Sequence, residues 1–296
     1  MAVEDPGRHQ VALLVEGDAE IERVLRRMLE PQKWEIVLST GGEDALDQVK
    51  LRQFDLIVTA GHTSGAEDVE LLRKMRCVHP HTRMIIVTDE STPLDVLDSM
   101  RERAFSYFAR PFSLESFENI VHIAMSCPCW DDGIEVVSAT PDWVNLQVRC
   151  DVHVADRLLQ FMREISDLPD KEGREAGIAF REMLLNAMEH GGNFNPEQYV
   201  EISYVRTRRM VTCRIKDPGT GFSLKELKHS AMTNPPDDPL RHALLREQQG
   251  MRPGGYGVLV ARHLVDELLY NEQGNEVFLV KYLSPARPCT RASQSL

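Results

Sequence analysis

At 296 residues the chain exceeds the length at which one hydrophobic core normally stops growing, so two domains are expected. Hydrophobic residues at 42% and charged residues at 27% exclude a disordered chain, and apolar runs such as 56–58 and 84–87 are too short to cross a bilayer. The net charge of -12, from 46 acidic against 34 basic residues, argues against direct nucleic-acid binding and leaves recognition of proteins or Mg-nucleotides open. The opening MAVEDPGRHQ lacks the apolar core of a signal peptide, so a cytoplasmic protein with no membrane partner is expected.

The first half alternates short apolar runs with amphipathic stretches. Strands are expected at 11–15, 35–38, 56–59, 84–88 and 106–108, with helices at 19–30, 42–52, 69–77, 93–101 and 114–125. Short connections and nearly continuous apolar strands predict a parallel sheet covered on both faces. Ligands of such sheets sit at the carboxyl ends of the strands, which directs attention to Glu16, Asp18, Ala60, Thr88 and Arg110.

Through LLVEGD, FDLIVTAG, MIIVTD and FARPF, this half resembles a two-component receiver domain, which implies a flavodoxin-like, doubly wound fold over residues 1–127. Glu16, Thr88 and Pro111 stand at family positions, Pro111 matching a proline that often follows a cis bond. Gly17 replaces a magnesium-binding acid, Ala60 the phosphate acceptor and Arg110 the phosphate-contacting lysine. A methyl group at the acceptor position supplies no oxygen nucleophile, so a receiver that cannot be phosphorylated is expected. Asp55, Asp68 and Asp89 are poorly placed as substitutes. The resemblance also implies self-association through residues 93–125, with the second half's own hairpin as the other route to a homodimer.

Residues 128–133 break every periodic pattern and mark a linker. The cysteines stand at 77, 127, 129, 150, 213 and 289, and a four-thiolate site from Cys127, Cys129, Cys150 and Cys213 is left open beside ordinary reduced thiols. Beyond the linker, runs at 134–138 and 144–149 suggest a hairpin, followed by helices at 152–165 and 174–190. On the second helix Glu182, Asn186 and His190 recur every four residues, which puts a carboxylate, an amide and an imidazole on one line.

Strands at 200–205 and 210–216 lead into Asp217-Pro-Gly-Thr-Gly-Phe222, a fixed acceptor beside side-chain-free backbone that suits the exocyclic amine and ring of adenine. A long polar segment, 223–252, contains the proline-rich 234–239 and suggests a lid. Gly254-Gly-Tyr-Gly257 opens a helix expected over 258–268, and exposed N–H groups at such a start suit a polyphosphate. A closing strand pair is expected at 269–272 and 276–282, and residues 287–296 are expected to form a disordered tail.

Taken together, Glu182-x-x-x-Asn186-x-x-x-His190, Asp217-x-Gly219-x-Gly221 and Gly255-x-Gly257 resemble the Bergerat-type ATPase domain of histidine kinases, gyrase and Hsp90 chaperones. The compact form is most similar to the anti-sigma-factor serine kinases, which implies an α/β sandwich over residues 134–286 that binds ATP and Mg2+. By resemblance, Asn186 would hold Mg2+, Asp217 the adenine amine, Gly219 and Gly221 the ring, and Gly255 and Gly257 the phosphates, with Glu182 as general base. Arg252 is a candidate phosphate contact, and His190 is assigned a structural role.

The function implied is an ATP-dependent protein serine or threonine kinase acting on an anti-sigma-factor antagonist, with a sigma factor as a further partner. The alternative is a catalytically silent, ATP-sensing module that regulates a partner protein.

Overall fold

The computed structural model describes residues 9–126, 133–166, 168–221, 247–248 and 255–283. Its first unit runs β1 (Gln10–Val15), α1 (Ala19–Met28), β2 (Trp34–Ser39), α2 (Gly42–Leu51), β3 (Leu56–Thr59), α3 (Gly65–Val78), β4 (Arg83–Thr88), α4 (Pro93–Arg101), β5 (Ser106–Ala109) and α5 (Leu114–Ser126). The strands form a parallel sheet in the order β2-β1-β3-β4-β5. β3 is buried at all its positions and β4 at all but its first, as a sheet covered on both faces requires. Side chains fix the helix starts: Asp18 accepts from the backbone N–H groups of Glu20 and Ile21, while Ser64 with Glu67 and Thr92 with Asp95 close capping boxes. Each such cap contributes about 1 kcal/mol.

The second unit runs β6 (Ile134–Thr140), β7 (Trp143–Arg149), α6 (Val152–Ser166), α7 (Asp170–Asn186), a π-helical turn (Ala187–Gly191), β8 (Tyr199–Arg206), β9 (Met210–Lys216), α8 (Gly257–Leu264), β10 (Glu267–Tyr270) and β11 (Glu276–Tyr282). Its strands form an antiparallel sheet in the order β10-β11-β9-β8-β7-β6. Burial alternates along β7 and β8, where Val144, Leu146, Val148, Val200, Ile202 and Tyr204 point into the core with the helices. The chain therefore combines the two α/β architectures expected, a doubly wound parallel sheet and a layered sheet-and-helix sandwich.

Two differences from the sequence-based expectation bear on the site. The helix expected over 258–268 stops at Leu264, because Val265 turns extended (φ -111°, ψ 160°) and Glu267 to Tyr270 pair with β11. Apolar residues at 264, 265 and 268 fit a helical stripe equally well, so periodicity alone misplaces this end. The helix also does not run regularly to His190: residues Ala187–Gly191 form a π-helical turn, marked by the Gly192 N–H bonding to the Ala187 carbonyl at 3.0 Å, and His190 on it is exposed.

The two units share one core, since buried apolar residues from Leu13 and Val96 through Tyr107 are continuous with those from Ile134 to Leu279. Helix α6 makes the junction. β5 is an edge strand whose outer backbone groups need partners, and α6 supplies them from side chains. Arg157 Nε donates to the Phe105 carbonyl at 2.8 Å, Gln160 Nε2 donates to the Tyr107 carbonyl at 3.0 Å, and Glu164 accepts from the Ala109 N–H. Arg157 is 3% exposed and its guanidinium carbon lies 4.1 Å from the Phe105 ring centroid. Arg101 of α4 bonds the Ala139 carbonyl at 2.8 Å, extending the seam to β6. Part of the surface within residues 93–125 thus packs against the second unit, along β5 and α4.

Candidate active site

The second unit's site is built along α7 and its π-helical turn. Glu182 and Asn186 lie one above the other, and the first residue of α8 meets both: a methyl group on Gly257 would stand 2.6 Å from Glu182 Oε2 and 3.3 Å from Asn186 Nδ2. Five residues beyond Asn186, Gly191 meets Asp217, since a methyl there would fall 2.3 Å from Asp217 Cγ. A methyl on Gly219 would be 2.9 Å from Asp217 Oδ1 and from the Gly191 Cα. Backbone without side chains therefore closes on each functional group, and the two clusters lie about 7 Å apart along one helix axis.

Asp217 extends from the end of β9, where its N–H donates to the Asn275 carbonyl at 2.9 Å. Its Oδ1 accepts from the Gly219 N–H at 2.8 Å, which fixes the carboxylate. Burial raises the Asp217 pKa above the ordinary aspartate value, and the Gly219 bond opposes that effect. Burial, with the Asp217 charge adding, pushes the Cys150 thiol up to about 11 and raises the Tyr270 phenol.

The β10–β11 hairpin clamps the glycine segment from the other side. Asn275 Nδ2 donates to the Gly219 carbonyl at 3.4 Å and Gln273 Nε2 to the Thr220 carbonyl at 3.2 Å. Gly221 has φ +86°, and a methyl there would lie 1.9 Å from the Gln273 carbonyl oxygen, so only glycine fits. Gly255 also has a positive φ, +96°, just ahead of α8. Among the described residues no side chain caps α8, so its start presents backbone donors beside Asn186.

Of the residues expected from sequence, Glu182, Asn186 and Gly257 come together, and so do Asp217 and Gly219 with Gly221 next along the chain. Arg252 and the proline-rich lid lie outside the described residues, as do Cys127 and Cys129. Cys150 and Cys213 are free thiols, and the described residues contain no group of three or more His, Cys, Asp or Glu side chains able to hold a metal ion. Sequence reasoning missed Gly191, Asn275 and Gln273. A glycine pair following the polar helix line was the one available signal for Gly191.

The first unit's strand ends are closed by an ion-pair chain. Arg110 Nη2 lies 2.6 Å from Asp18 Oδ2, and its Nε lies 3.0 Å from Asp89 Oδ1. The Arg110–Pro111 bond is cis, and the Thr88 hydroxyl donates to the Thr63 carbonyl at 2.6 Å. Ala60 is buried, Asp55 accepts from the Val11 N–H at the opposite end of the sheet, and Asp89 also contacts His62. The ion pair with Arg110 and the α1 N–H groups hold the Asp18 carboxyl below the usual range against the opposing effect of burial.

The described helices include none long and apolar enough to cross a membrane. The family described as "Histidine kinase-like ATPase domain" matches residues 147–281, and "Response regulator receiver domain" matches residues 12–122. An anti-sigma F factor from Bacillus cytotoxicus is 32% identical over 118 residues, covering 38% of this chain and 72% of that protein. Transcriptional regulatory protein ZraR from Escherichia coli is 21% identical over 114 residues, which are 38% of this chain and 26% of that protein, so the chain spans about a quarter of that relative. A response regulator receiver domain protein from Methanospirillum hungatei is similar over 40% of this chain and 95% of its own, at 20% identity and a TM-score of 0.32.

Proposed function

For a chain that belongs to the histidine kinase-like ATPase family and carries a response regulator receiver domain ahead of it, we propose an ATP-dependent protein serine or threonine kinase acting on an anti-sigma-factor antagonist. The observation that carries this is the approach of Gly257 to both Glu182 and Asn186. It puts a general-base candidate, a metal-ligand candidate and the donors of a helix start around one point.

The residues present fit Mg-ATP. Asp217, held by the Gly219 N–H and packed against Gly191, offers its second carboxylate oxygen to the adenine amine, and Gly219 and Gly221 would leave room for the ring. Asn186 would hold Mg2+ through its amide oxygen, and the N–H groups at the start of α8 would face the phosphates, with Gly255 and Gly257 keeping the backbone accessible. When bound, Mg2+ neutralises phosphate charge and orients the transferred group. Glu182 accepts the proton of the attacking hydroxyl, which requires the substrate's serine or threonine to enter from the Gly257 side. The partner class is supported by the likeness to an anti-sigma F factor of Bacillus cytotoxicus. In the receiver half, Ala60 has no oxygen to accept a phosphoryl group, so its contribution is exerted through packing and binding.

Incubation of the full chain with Mg-ATP and an anti-sigma-factor antagonist tests the proposal. Phosphate is expected on a serine or threonine of the antagonist. Glu182→Gln is expected to retain ATP binding and lose about a hundredfold or more in transfer rate. Nucleotide-dependent complex formation without phosphate transfer would replace the kinase by an ATP-sensing module, and an unchanged rate in Glu182→Gln would remove the base assignment.

A further inference from the structure

The receiver half contains a cavity of about 490 Å3 that the ATPase chemistry does not use. It opens between α2 and α3 at the carboxyl ends of β1 and β3. Strand order β2-β1-β3 makes this the topological switch point, where successive connections leave toward opposite faces and a crevice forms. Leu46, Ala66 and Leu71 form apolar walls, and Glu16, Thr59 and Asp68 form a polar end. A volume in this range, mostly apolar with a few convergent polar groups, is typical of small-molecule sites.

The polar end sets the ligand's charge. The cavity is lined by Glu16, Glu43, Glu67, Asp68 and Glu70 against Lys74. Glu67 is occupied by its capping box and Glu70 by Arg73, which leaves Glu16, Glu43 and Asp68 to a ligand. Asp68 is 3% exposed and accepts hydrogen bonds from the Thr63 hydroxyl, at 2.8 Å, and from Thr59. A carboxylate has about four lone-pair sites, so acceptor capacity remains. Glu16 sits at φ 49°, and its carboxylate is packed beside Gly41 and Gly61, where methyl groups would come within 2.9 and 2.4 Å of its oxygens. The glycines at these positions leave room for the Glu16 carboxylate in the cavity lining.

We infer that this cavity binds a small organic amine, its ammonium group held by Glu16 and Asp68 and its apolar body lying between Leu46 and Leu71, so that the receiver half takes a diffusible ligand where a phosphoryl group is excluded. Burial, reinforced by Glu67 and Glu16, pushes the Asp68 carboxyl up to about 7, and a cation at this position would relieve that penalty. A bare divalent ion would satisfy the acids but gain nothing from the apolar walls.

The test is a titration of the full chain with phenethylamine, its neutral counterpart 2-phenylethanol, and MgCl2, read by amide chemical shifts. The amine is expected to give saturable shifts at Leu46, Thr59, Ala66 and Leu71, with the alcohol binding about tenfold or more weaker. Asp68→Asn and Glu16→Gln are each expected to weaken the amine by about tenfold. Glu16 is exposed, so Glu16→Gln keeps the test decisive if Asp68→Asn does not fold. The proposal is overturned if the amine gives no saturable shift, if the alcohol binds as tightly, if Glu16→Gln binds unchanged, or if Mg2+ alone saturates the same residues with equal affinity.

Discussion

Replacing Arg157 by alanine tests how the two halves are joined. The side chain is 3% exposed, donates to the Phe105 carbonyl at 2.8 Å and lies over the Phe105 ring. A hydrogen bond from a charged donor contributes about 1.5–3 kcal/mol, and a desolvated cation–π contact about 1–2 kcal/mol. Removing a buried guanidinium also recovers part of its desolvation penalty, so the expected net loss is about 2–4 kcal/mol. In thermal unfolding this corresponds to a fall of about 10 °C in the transition that includes the seam. A double-mutant cycle of Arg157→Met with Phe105→Leu isolates the ring contact, with an expected coupling of about 1 kcal/mol. A coupling within about 0.3 kcal/mol of zero, together with an unchanged Tm in Arg157→Ala, would refute the seam's energetic role.

Gly257→Ala places a methyl 2.6 Å from Glu182 Oε2, the end of a flexible side chain, so the fold should persist while the carboxylate is displaced; unchanged circular dichroism with at least a tenfold loss of ATP affinity or transfer, about 1.4 kcal/mol, is expected. Gly221→Ala meets the Gln273 carbonyl backbone at 1.9 Å and a positive φ, so urea denaturation should show a loss of about 2 kcal/mol or more. Burial raises Glu164 from 4.5 to about 7 despite its bonds from Ala109 and Gln160. The folded state then holds a proton that the unfolded state has released, so this contribution to stability is complete below about pH 4.5 and is lost as pH rises through about 7, by about 3 kcal/mol. Glu164→Gln should flatten that part of the urea-measured pH profile; an unchanged slope would contradict it. Because the Asp217 pKa is raised by burial, ATP affinity should fall on acidification at a higher pH than an ordinary aspartate would give, and calorimetric titrations across pH would show it.

Most of the architecture was legible because the strands of the parallel sheet are short apolar runs, each followed by a helix with an apolar stripe. The Asp217 and Gly257 segments were legible for another reason: their glycines are required by close approach, and that requirement appears directly as composition. The seam was not legible. Arg157 and Gln160 look like the solvent face of α6, whose apolar stripe of Val154, Leu158, Phe161 and Ile165 accounts for only one side. Their burial follows from the tertiary pairing with β5, which no local pattern encodes. The π-helical turn was hidden similarly, since an ordinary helix through His190 satisfies the same polar spacing. Only the contact between Gly191 and Asp217 reveals what the turn positions.

The most direct measurement is a calorimetric titration of Mg-ATP into the full chain and into Asp217→Asn. A single saturable site is expected in the parent chain, weakened about tenfold or more by the substitution, because the adenine amine loses a charged acceptor. Absence of saturable binding, or identical affinity in the two proteins, would contradict a nucleotide pocket formed by α7, Asp217 and the start of α8.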